Sequence, residues 1–68
     1  MSATATVDGE KIKSLRKARF ITQSKLAEMA GIRPESLCRL EKGKPAKFST
    51  ILKLADILGV EPSSLISK

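Results

Sequence analysis

Arg39 stands directly before Leu40, which with Leu37 marks the apolar side of a helix, so Arg39 points the other way. An outward arginine presents a planar fork of N–H donors. That fork matches a carboxylate, a phosphate or the edge of guanine, the last contact contributing about 1–3 kcal/mol of discrimination. Glu35 precedes it by four residues, the spacing of an intrahelical ion pair. The carboxylate either accepts from cytosine or simply favours the helix N-terminus, and it can orient Arg39 in both cases. Ser36, Cys38 and Lys42 share this polar face. The thiol of Cys38 is either a small residue of no special role or, beside cations that favour the thiolate, a redox-sensitive group.

Other chemistry is excluded by what is missing. The chain has no histidine and one cysteine, so it has neither imidazole catalysis nor an internal disulfide nor a zinc site. Its seven carboxylates are scattered singly, and no glycine cluster resembles a phosphate loop. No nucleophile–base set exists, so an enzyme is not expected. No cofactor, metal or small-molecule ligand is expected either.

Thirteen Lys and Arg oppose seven Asp and Glu, a net charge of +6, and twelve of the thirteen cations lie between Lys11 and Lys53. Such a charge implies either solubility alone or a polyanionic partner, of which nucleic acid is the commonest. Two Phe and no Tyr or Trp leave little to stack on single-stranded bases. Sixty-eight residues make one domain of modest core, stabilised by helix packing or by a partner subunit. No apolar run exceeds three residues, so no membrane span is expected. Residues 1–7 lack the features of a signal peptide, and a cytoplasmic location is expected.

These side chains need elements to hold them. Residues 1–7 are small and mostly polar and read as a flexible N-terminal segment ahead of a domain over 8–68. Ile12, Leu15, Arg16 and Arg19 fall at helical spacing, predicting a first helix over about Gly9–Arg19. Thr22 can cap a second helix over Gln23–Ala30, with Leu26, Ala27 and Ala30 inward and Gly31 at its end. Pro34 suits the first position of a third helix, over about Pro34–Lys42, ended by Gly43 and Pro45. Ile51, Leu54, Ala55 and Leu58 form the stripe of a fourth, stopped by Gly59. Pro62 opens a last short turn, counted as the fifth helix. Its Leu65 and Ile66 either close the core or line a dimer contact. No segment alternates like a strand, so the expected class is all-α with five helices.

Only Gly31 to Arg33 join the second and third helices. A turn that short, with a glycine, makes the helices cross steeply. The outer face of the third helix is then free, and a helix of this size fits the DNA major groove. The segments Gln23-Ser24-Lys25-Leu26-Ala27-Glu28-Met29-Ala30-Gly31-Ile32 and Ser36-Leu37-Cys38-Arg39-Leu40-Glu41-Lys42-Gly43 resemble the helix-turn-helix of the Cro and phage-repressor family, the lambda-repressor-like domains. The likeness continues through Ile51-Leu52-Lys53-Leu54-Ala55 and Leu58-Gly59-Val60, and covers roughly residues 10–66.

The resemblance implies a sequence-specific regulator of transcription that binds double-stranded DNA. A homodimer on an inverted repeat is implied, with one third helix per half-site and half-sites about 34 Å apart. By position, Glu35, Ser36 and Arg39 would read bases. Pro34 stands where relatives often carry a hydrogen-bonding reader, and would touch a thymine methyl or nothing. Gln23, Lys44 and the backbone near Phe48 and Ser49 would hold phosphates. Arg33, Lys42, Lys44 and Lys47 would form a neutralising rim or remain a solvated charge run. Arg16 and Glu41 correspond to a structural ion pair. Arg33 replaces the usual Ser or Thr cap, and Phe20 stands where relatives often have glycine or a polar residue. A second implication of the family is an antitoxin that neutralises a partner protein and binds its own operator, with the mobile N-terminal start, Phe20, Met29 or Leu65-Ile66 as the interface.

Overall fold

The Thr22 hydroxyl accepts from the Lys25 N–H at 3.1 Å, and Asp8 accepts from the Lys11 N–H at 3.2 Å. These two caps start two of the helices. In the computed structural model, which describes residues 3–67, the order is β1 (Thr4–Thr6), α1 (Gly9–Ala18), α2 (Gln23–Ala30), α3 (Pro34–Glu41), β2 (Pro45–Lys47) and α4 (Phe48–Leu58), then a 3-10 turn over Pro62–Leu65. The α2 bounds match the expected ones, while α1 and α3 each stop one residue sooner, at their C-caps Arg19 and Lys42.

Two expectations are corrected. Among the described residues there are four α-helices, because Pro62–Leu65 closes as a single 3-10 turn. The chain also contains strand. Thr4–Thr6 pairs antiparallel with Pro45–Lys47, in the register Thr4 with Lys47, Ala5 with Ala46 and Thr6 with Pro45. Residues 4–7 are therefore not a flexible lead, and Val7 is itself buried in the core. Met1 and Ser2, also in that expected segment, lie outside the described residues. Three-residue strands are too short to show alternation, and Pro45 reads locally as a helix stop.

The core joins Ile12 of α1, Leu26, Ala27 and Ala30 of α2, Leu37 and Leu40 of α3, and Ile51, Leu54, Ala55 and Leu58 of α4. Val7, Ala46 and Leu65 complete it. Leu65 is fully buried, so it closes the core and is removed from the candidate dimer contacts. Ile66 is half-buried and bridges Val7.

All four helices end in the same way. The residue after the last turn is left-handed, and the next N–H returns five residues to a carbonyl. Ile32 returns to Ala27, Lys44 to Arg39, Val60 to Ala55 and Ile21 to Arg16. Glycine occupies the left-handed position in three of them, but in α1 it is Phe20, at φ 56. The Phe20 side chain is 96% exposed, so no packing compensates for the unfavourable backbone.

Gly9 has a different role. A Cβ there would lie 2.4 Å from the Glu41 carbonyl oxygen and 2.6 Å from that of Leu40. Only a residue without a side chain lets the start of α1 sit against the end of α3.

Candidate nucleic-acid interface

Arg16 positions α3 from behind. Its Nε donates to Glu41 Oε2 at 2.6 Å and its Nη2 to Oε1 at 3.2 Å. Nη1 donates to the Ile21 carbonyl at 2.8 Å, so one guanidinium ties α1, the α1–α2 turn and α3. Both side chains are nearly excluded from water, and a two-pronged pair of this kind is far more sensitive to losing one partner than a surface pair. The expected Arg16–Glu41 pair is thus present as a structural one.

Gln23 joins this network. Its Nε2 donates to Glu41 Oε1 at 2.8 Å, fixing the first residue of α2 to the last of α3. An amide nitrogen has two hydrogens, so one N–H of this group remains. Sequence spacing carried no sign of this contact, because residues 23 and 41 meet only through the crossing of α2 and α3.

With its inner side held, α3 leaves Pro34, Glu35, Ser36 and Arg39 exposed. No hydrogen bond joins Glu35 to Arg39 among the described residues, so the guanidinium is not committed to its own helix. Cys38 is half-buried, with a free thiol.

An open groove of about 670 Å³ runs between α3 and the segment leading to α4. Ser36, Arg39, Lys42, Lys44, Lys47 and Thr50 line it. Five expected contacts, separated by up to eleven positions in the chain, are thus brought together. Pro34 and Glu35 lie on the exposed start of α3 outside that lining, as does Arg33.

The helix ends add an electrostatic point. The N-caps of α3 and α4 are Arg33 and Lys47, and neither helix has a side-chain cap. A cation at a helix N-terminus opposes the helix dipole, and uncapped N–H groups there invite an anion. One expected donor is corrected. The Phe48 N–H already donates to the Ala3 carbonyl at 3.2 Å, so β1 takes it rather than a phosphate. Ser49 stays exposed on the first turn of α4.

A helix-turn-helix family model matches residues 12–65. Similar solved structures include the restriction-modification controller protein C.AhdI from Aeromonas hydrophila, 32% identical, with 85% of this chain and 89% of that one covered at a TM-score of 0.78. The P22 c2 repressor, in complex with a synthetic operator, is 25% identical, with 93% and 97% covered and a TM-score of 0.84. SinR, a master regulator of biofilm formation solved with DNA, is 29% identical, with 82% and 92% covered and a TM-score of 0.73. No curated protein matches the chain. No helix among the described residues is long and apolar enough to cross a membrane. The crossed α2–α3 pair, the ion pair behind it and the matched span give one conclusion: the chain belongs to the Cro- and phage-repressor-like helix-turn-helix family of DNA-binding transcriptional regulators.

Proposed function

We propose that this protein regulates transcription by placing α3 in the major groove of a double-stranded operator, where Arg39 and Ser36 contact base edges. Pro34 and Glu35 enter at the exposed start of the same helix. Lys42, Lys44, Lys47, Arg33, the remaining Gln23 N–H and the start of α4 at Ser49 hold phosphates on either side. The observation that carries this reading is the single groove that collects Ser36, Arg39, Lys42, Lys44 and Lys47. Phosphate contacts provide most of the affinity and fix the register, and the base contacts choose the sequence. The reading extends to a homodimer on an inverted repeat with Ile66 near its contact, because a two-fold protein places one α3 in each of two symmetric half-sites.

Selection of bound sequences from a random duplex pool, at near-physiological salt, tests this. An inverted repeat with centres one helical turn apart supports the dimeric reader. No motif, with binding that vanishes as salt rises, leaves only nonspecific attraction and sinks the proposal.

A second reading adds a protein partner, as in an antitoxin. Phe20 at 96% exposure and Met29 at 49% favour it. Co-purification with a tagged copy of the chain is its test; a tagged copy that brings down no partner removes it.

A further inference from the structure

We propose that the N-terminal strand braces the phosphate-contacting segment between α3 and α4. The brace fixes Lys44, Lys47 and the start of α4 in the positions they take on DNA. This rests on the DNA-binding reading above.

Three observations converge on β1. The first is its pairing. Ala3 accepts from Phe48, and Ala5 lies opposite Ala46, so the backbone groups of residues 3 and 5 face β2. Pro45 lies opposite Thr6, at the intervening position where antiparallel partners exchange no hydrogen bonds, so its missing N–H costs the ladder nothing. Thr4 and Lys47 are likewise opposite each other, and at such positions cross-strand side chains are closest. Lys47 therefore has Thr4 as its neighbour on the outer face, while Ala46 is buried beneath.

The second is that β1 is anchored on its other edge. Ser67 donates to the Thr6 carbonyl at 2.8 Å and Asp8 to the Leu65 carbonyl at 2.7 Å, and Val7 bridges Ile66. A strand gripped on both edges, with buried Val7 as its root, can hold a neighbour in place.

The third is the need. Lys42, Lys44 and Lys47 crowd three like charges into six residues. Their repulsion favours a spread and mobile segment. Ordering it only when DNA arrives would weaken binding, and ordering it beforehand removes that penalty. The helix-turn-helix match begins at residue 12, so the strand lies outside the matched span, and the helices carry most of the core.

The test uses two variants, a chain lacking residues 1–6 and the full-length Ala5→Pro, which removes the N–H facing Ala46. Both keep Val7. Amide exchange is read without DNA, and binding to the duplex preferred by the full chain is read across a salt series. Both variants are expected to keep the full helical signal and to exchange the Ala46 and Phe48 amides, the two that face β1, faster. They should bind more weakly, with a salt slope shallower by about one to two. Their ranking of single-base-substituted duplexes should match the full chain's. Variants with unchanged affinity and slope overturn the proposal, as does loss of base ranking or of helical signal in both, which would assign the strand to the fold as a whole. A full chain that prefers no duplex fails the DNA reading itself and the brace with it. A full chain that binds, with variants that bind equally, fails only the brace.

Discussion

Glu41 is the residue on which the placement of α3 most depends. Its carboxylate accepts from Arg16 twice and from Gln23 once, in a nearly water-free setting. Replacing Glu41 by Ala leaves the guanidinium buried and unmatched, and should cost about 3–5 kcal/mol in urea unfolding. Gln23→Ala removes one hydrogen bond to a charged group and should cost about 1.5–3 kcal/mol in the same measurement. Phe20 lies at the opposite extreme. Its backbone is left-handed and its ring is almost wholly in water, so Phe20→Gly loses no packing. The relief of backbone strain, about 1–2 kcal/mol, is partly offset by the greater freedom of glycine in the unfolded chain. The urea midpoint should rise, by a gain of up to about 1 kcal/mol, with the slope unchanged.

At the scale of elements, the helices were legible because each carries its signals locally. Thr22 and Asp8 cap, Pro34 opens α3, and Gly31, Gly43 and Gly59 close their helices at the positions where the chain turns left-handed. The face of α3 was legible too, since Leu37 and Leu40 alone orient Arg39. What escaped was set by contacts distant in sequence. Neither Thr4–Thr6 nor Pro45–Lys47 has strand character alone, and each exists as strand because the other is beside it. The loss of the Phe48 N–H as a phosphate donor follows from the same pairing. Gly9 was visible only as a residue near a helix start, whereas its reason is the Leu40 and Glu41 carbonyls against it. Gly9→Ala should therefore push α1 from α3 and lower stability by about 1–3 kcal/mol, read by thermal or urea unfolding.

For the molecule as a whole, the distribution of charge decides how it meets DNA. A net charge of +6 favours any duplex, whereas the proposed phosphate contacts are the cations gathered beside α3. Lys44→Ala should weaken binding to all duplexes alike and lower the salt slope by about one. Arg39 should behave in the opposite manner, because its proposed contact is with a base. The most direct measurement is the affinity of the full chain and of Arg39→Ala for the preferred duplex and for each of its single-base substitutions. The account predicts that Arg39→Ala loses preference at one base pair per half-site, by about 1–3 kcal/mol, and keeps it elsewhere. Arg39→Ala with every preference intact, and affinity lowered uniformly, would contradict the claim that this face of α3 reads sequence.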